Sequence, residues 1–191
     1  MNGPDQVELS QPLPRKVAVF GAGGKSTLAR AIAHKMDLEF IEIDWINHMP
    51  GWQIRPADDA ARMLKERIDS SPDGFITDHH SAFLRELIYK NVESVIVLEL
   101  PWRTIFWRRL KRSLKRAWTQ EIVCGGNTES FLQHFFSRES AIFEIFQKRK
   151  RYSTIFDQTF LEAPAGINFY RIQTANELEE FYGLHSLARE S

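Results

Sequence analysis

Three polar side chains in a row, Lys25-Ser26-Thr27, follow the glycines of FGAGGKSTLAR at residues 20–30. That combination can hold a polyphosphate. Glycines let successive backbone N–H groups turn toward an anion, and a following helix adds unpaired N-terminal donors and about half a positive charge. In a loop of Gly21, Ala22, Gly23, Gly24, Lys25, Ser26 and Thr27, Lys25 would reach the β- and γ-phosphates of ATP. Ser26 would offer its hydroxyl to Mg²⁺, with Thr27 beside it in the first helical turn. The Walker A pattern G-x-x-x-x-G-K-[ST] asks for a glycine five positions before Gly24, but Val19 stands there and Gly21 comes two residues late. The expectation is an abbreviated phosphate loop with fewer inward amides. The plain alternative is a glycine-rich turn carrying an exposed lysine.

Two further sets of residues fit the same chemistry. Asp78 in GFITDHH closes a β-branched run, where a carboxylate would face the loop and hold Mg²⁺ through water; its other reading is a cap for the next helix. Residues 103–116 carry seven basic side chains: Arg103, Arg108, Arg109, Lys111, Arg112, Lys115 and Arg116. A solvated basic face is the ordinary explanation. Arg108 and Arg112, however, stand at i, i+4 and can converge on one anion. Charge spreading over a transferring phosphoryl group calls for such cations. His79 and His80 adjoin Asp78, but neighbouring residues cannot all aim at one ion, and no spacing completes a zinc site.

These residues need a scaffold, and the pattern of apolar residues supplies one. VAVF (17–20), LEFIEI (38–43), GFIT (74–77), VIVLEL (95–100) and INFYRI (167–172) read as strands separated by helical stretches. Such alternation implies a parallel sheet with helices on both faces. Leu28, Ala31, Ile32 and Met36 give the helix after the loop one apolar side. Residues 103–151 are mostly helical in pattern, broken by CGGN at 124–127 with Gly125-Gly126-Asn127 as a turn or hinge; Phe131, Phe135, Phe143 and Phe146 read as a core stripe.

The bounds are consistent with one domain. The chain has 191 residues and is 43% hydrophobic, enough for one well-buried core. Its 25 basic and 25 acidic side chains cancel, so no global field argues for nucleic acid or an anionic membrane. The single cysteine, Cys124, forms no internal disulfide, which fits a reducing compartment. No apolar run approaches the roughly 20 residues of a membrane-spanning helix. The expectation is a cytoplasmic protein with a disordered lead-in at 1–15, rich in proline and polar residues, and a single domain at 16–185.

The order P-loop, EFIEIDWINHMPGW, GFITDHH, VIVLELPWRTIFWRRLKR, GGNTESFLQHFFSRES and KRKRY resembles the adenylate-kinase-like P-loop kinases. It is most similar to the branch described as DNA-topology-modulation or flagellar-regulator kinase-like proteins. The resemblance spans about residues 16–173. It implies a three-layer αβα P-loop NTPase fold with a five-stranded parallel sheet, a lid-like helical region at about 113–151, and Mg·ATP at the loop. It also implies transfer of the γ-phosphoryl group to a nucleotide or other small acceptor. Carried over, Arg108 and Arg112 fall at two nucleotide-contacting arginines, anchored by the Leu-Pro of LELP. Arg138, with Arg149 or Arg151, falls where lid arginines close over phosphates. Adenylate kinases follow the third-strand Asp with Gly-Phe-Pro-Arg, whose arginine holds AMP; here His79, His80, Ser81 and Ala82 stand instead. Arg85 and Arg55 are the substitutes to consider. Asp44, at the end of the second strand run, is the acceptor-side acid, and Trp45 and Trp52 are candidate pocket walls.

Three functions follow: a small-molecule or nucleotide kinase, a nucleotide-binding regulator that transfers poorly, and a nucleic-acid binder using the basic helix. The first fits most of the residues and the last fewest. The acceptor and the oligomeric state are not written in the sequence.

Overall fold

Residues 17–20 are apolar without alternation, the mark of a strand covered on both faces. They run through the middle of a parallel sheet. The computed structural model, which describes residues 4–79, 82–119, 122–123, 127–128 and 155–189, builds the sheet from β1 (Asp5–Gln6), β2 (Lys16–Gly21), β3 (Glu39–Glu42), β6 (Phe75–His79), β7 (Ser94–Leu98) and β10 (Asn168–Ile172). Its order is β1-β10-β7-β2-β6-β3, with every neighbouring pair parallel. The described helices are α1 (Lys25–Met36), α2 (Ile43–Asn47), α3 (Ala57–Asp69), α4 (Arg85–Tyr89), α5 (Trp102–Thr119), α6 (Ile155–Glu162) and α7 (Ala175–Leu184). Two short antiparallel pairs complete the description: β4 (His48–Met49) with β5 (Gln53–Ile54), and β8 (Ile122–Val123) with β9 (Asn127–Thr128).

Alternate residues of β2 feed two cores. Val17 and Val19 pack with Leu28 and Ile32 of α1 and Phe181 of α7, while Ala18 and Phe20 pack with Leu64 of α3, Ile88 of α4 and Phe156 of α6. The α/β three-layer fold expected from the sequence is therefore present. β2 pairs with β6 on one side and β7 on the other. The strand order reverses there, and the crevice of such sheets opens at the C-terminal end of the strand where this happens. Gly21–Gly24 occupy that end. In this way the topology places the glycines at the one edge suited to a ligand.

Two expectations are corrected. The sheet has six strands, not five, and the lead-in is docked. Asp5 and Val7 donate to the carbonyls of Ile167 and Phe169 at 3.1 and 2.9 Å. Val7, Leu9 and Leu13 pack on the α1/α7 core, and Tyr170 Oη donates to the Pro12 carbonyl at 3.1 Å. The prolines and polar residues mask a spaced apolar set, and the outer edge of β10 supplies backbone partners that a sequence does not display.

Most of the expected lid-like region, about 113–151, lies outside the described residues, as do Arg138, Arg149, Arg151 and the phenylalanine stripe. Within the described part, β9 lies against the 3₁₀ turn Pro50–Trp52. No helix among the described residues is long and apolar enough to cross a membrane.

Candidate functional site

Gly21 ends β2 at φ 113°, and a Cβ there would sit 2.2 Å from the Leu98 carbonyl oxygen. Only glycine lets the loop start this close to β7. Gly24, at φ 135°, is the residue before α1, and a Cβ on it would lie 3.2 Å from Arg108 Nη1. The helical ladder begins with Leu28 N–H donating to the Gly24 carbonyl at 2.9 Å. The N–H groups of Lys25, Ser26 and Thr27 precede that bond and have no acceptor within the helix, which is the donor set an anion would use. Arg108, from the first half of α5, donates to the Gly23 carbonyl at 3.1 Å. The loop is thus held from behind by the end of β7 and from the side by α5.

Across from the loop, Asp78 is fully buried on β6. Its Oδ2 accepts from Lys25 Nζ at 3.2 Å and from the Ser26 hydroxyl, and its Oδ1 accepts from the Ile43 N–H at 3.0 Å. A buried carboxylate persists only when its oxygens are so occupied. Ser26 Oγ and Asp78 Oδ2 are hard oxygen donors of the kind Mg²⁺ takes, usually together with waters and ligand phosphates. Among the described residues no group of three His, Cys, Asp or Glu could hold a metal by itself. A cation here would therefore lean on its ligand's phosphates.

Glu42 joins this group, although the sequence reading did not single it out. It is the register partner of Asp78 across the β3–β6 pair. Burial, followed by the charge of Asp78, pushes its carboxyl above the ordinary value of 4.5; Asp44 adds to the rise while Arg30 and Lys25 oppose it. Arg30, which lies over the Phe40 ring, reaches the Glu42 carboxylate at 3.4 Å. A usable signal was present, because aligning EFIE with FITD in parallel register sets the two acids side by side.

The remaining candidates separate clearly. Asp44 lies in the first turn of α2, not at a strand end, since β3 stops at Glu42. It remains a near neighbour of Glu42. Trp45 is half exposed and walls a groove of roughly 440 Å³ shared with Phe40, Glu42, Met63 and Glu66. Trp52 is also exposed, with its ring edge-on to His48 at 5.9 Å. Arg55 is turned onto backbone, donating from Nε to the Ile46 carbonyl at 2.8 Å. Arg85 pairs with Glu162 of α6. Neither is brought to the loop. Arg112 lies on α5, but its side chain is outside the described residues.

Strand, glycine loop, Lys-Ser and facing buried Asp, on a parallel sheet of this order, define a P-loop kinase-like α/β fold. No family model matches the chain, and no curated protein matches it. Among solved structures, TT1252 from Thermus thermophilus is similar over 94% of this chain and 93% of its own, with a TM-score of 0.50 and 11% identity, a likeness of fold. A sugar kinase from Janibacter sp. HTCC2649 (TM-score 0.47, 17% identity, 91% of each chain) also aligns. So does an uncharacterized protein from Eubacterium ventriosum (TM-score 0.43, 10% identity, 91% and 99%).

Proposed function

We propose that the protein transfers the γ-phosphoryl group of ATP, with Mg²⁺, to a nucleotide or other small acceptor. The observation that carries this is the convergence of Lys25 and Ser26 on buried Asp78 at the mouth of a glycine loop. The open amides at the start of α1 would receive phosphate oxygens, and Lys25 would shift from Asp78 toward the β- and γ-phosphates. Mg²⁺, when bound, would neutralise charge on the transferring group. Ser26 would be its direct ligand and Asp78 its partner through water. Arg108, 3.1 Å from the Gly23 carbonyl, is close enough to stabilise charge developing on the phosphates, with Arg112 and Arg138 proposed to assist.

The abbreviated loop favours one second reading, a nucleotide-binding regulator with little transfer. Calorimetry with Mg·ATP on the intact chain and on Lys25→Ala tests nucleotide binding: an affinity loss of at least about tenfold is expected, and equal affinities would remove the proposal. Labelled ATP with a panel of acceptors then separates the two readings, because binding without transfer to any acceptor favours the regulator.

A further inference from the structure

The acceptor side of the crevice is acidic, and its cations are engaged. Glu42 lines the groove walled by Trp45 and is also close enough to Asp78 and Lys25 to respond to their charges. It therefore spans the space between the phosphate loop and the groove. Asp44 stands beside it and Glu66 lies further along the same groove. The arginines nearby are turned elsewhere. Arg67 donates from Nε to Glu39 at 2.7 Å, Arg55 to the Ile46 carbonyl at 2.8 Å, and Arg85 pairs with Glu162. Arg30 sits over Phe40 with Glu42 as its counter-ion.

Resting on the kinase reading above, we propose that the acceptor is an uncharged or amine-bearing polyhydroxy compound of sugar or aminosugar size, not a nucleoside monophosphate. Glu42 accepts a hydrogen bond from its hydroxyl, and Trp45 covers one face of its ring. A phosphate dianion entering beside Glu42, Asp44 and Asp78 would meet like charge without a free cation to offset it among the described residues. A hydroxyl has a proton to give to a carboxylate, and an ammonium group gains from both the acids and the tryptophan face. The half-exposed indole, with Phe40 and Met63, supplies the flat apolar wall against which the C–H face of a sugar packs. A volume of roughly 440 Å³ falls in the usual range for small-molecule sites.

The step balances. The acceptor hydroxyl oxygen forms a bond to the γ-phosphorus as the bond from that phosphorus to the β–γ bridging oxygen breaks, and ADP leaves with the bridging electron pair. The hydroxyl proton passes to the neighbouring carboxylate and from there to solvent. No oxidant or further reactant is needed.

The test uses the full chain with labelled ATP and Mg²⁺ against two panels: D-hexoses, hexosamines and inositols in one, and AMP, CMP, GMP, UMP and dTMP in the other. Transfer is expected to at least one member of the first panel and to none of the second. Glu42→Gln is expected to raise the acceptor KM by about tenfold or more while ATP affinity by calorimetry stays within about twofold. Trp45→Ala, a change at an exposed position, should raise the same KM and gives a second readout if Glu42→Gln folds poorly. Preferred transfer to a nucleoside monophosphate, or no transfer to the first panel while Mg·ATP binds, overturns the acceptor assignment; the former leaves the kinase reading standing. Unchanged acceptor KM in both variants overturns the assignment of the groove. Failure of Mg·ATP to bind at all removes the kinase reading itself, and the acceptor assignment with it.

Discussion

Asp78 receives three donors on two oxygens, and the three come from different elements: Lys25 and Ser26 from α1 and the N–H of Ile43 from α2. Its substitutions should therefore divide by charge and by shape. Asp78→Asn keeps one oxygen for Ile43 but loses the charge facing Lys25 and Ser26, so phosphoryl transfer should fall by about 10²- to 10³-fold with the fold retained. Asp78→Ala leaves buried donors unpaired and should cost roughly 3 kcal/mol or more. Steady-state kinetics together with thermal denaturation check both; an Asn variant of full activity would show that Asp78 only braces the loop. Gly21→Ala tests the loop's geometry, because its methyl would collide with the Leu98 carbonyl oxygen 2.2 Å away. A stability loss of about 2–4 kcal/mol in denaturant melts is expected. The loop, Lys25, Ser26 and Asp78 were legible because their chemistry is local and their order along the chain fixes their place on the sheet. Glu42 was not singled out, since its importance comes from strand register. Arg55 and Arg85 were candidates as free cations, a property that depends on Ile46 and Glu162, which lie elsewhere in the fold.

The long elements were legible for a related reason. A strand such as Val17–Phe20 must bury both faces, and a helix such as α1 must present an apolar side, so each carries its period in its own residues. The two-residue β1 carries no period, and its existence depends on the open edge of β10. Its weight in the fold can be measured. Val7, Leu9 and Leu13 are partly buried on the α1/α7 core, and at roughly 1 kcal/mol each deletion of residues 1–13 should cost about 2–4 kcal/mol. For a chain of this size that lowers Tm by roughly 5–15 °C. Differential scanning calorimetry on the truncated chain decides it. An unchanged Tm would mean that the segment rests on the sheet without stabilising it.

At the scale of the whole molecule, the face of the sheet opposite α1 is closed by α3, α4 and α6, and Tyr89 ties two of these helices together. Its ring stacks on Phe20 at 5.8 Å, and its hydroxyl donates to the Thr159 carbonyl at 2.8 Å. Burial pushes the phenol from 10.0 up to about 12, opposed in part by the positive charge of Arg85. The unfolded chain therefore gives up this proton at lower pH than the folded one does. Below pH 10 the phenol is neutral in both states and stability does not depend on it. As pH rises from 10 toward 12 only the unfolded state ionises, so stability drains away by roughly 2–3 kcal/mol, at about 1.4 kcal/mol per pH unit. Tyr89→Phe removes that dependence and also the hydrogen bond to Thr159, a loss of about 1 kcal/mol. Urea melts of the two proteins should accordingly cross: the variant is weaker at pH 8 and equal or stronger near pH 12. The neighbouring Tyr170, also raised by burial, is common to both and cancels from the comparison. Parallel curves with no crossing would mean that the α4–α6 seam opens to water before the phenol ionises, which would make that seam the first part of the molecule to loosen in alkali.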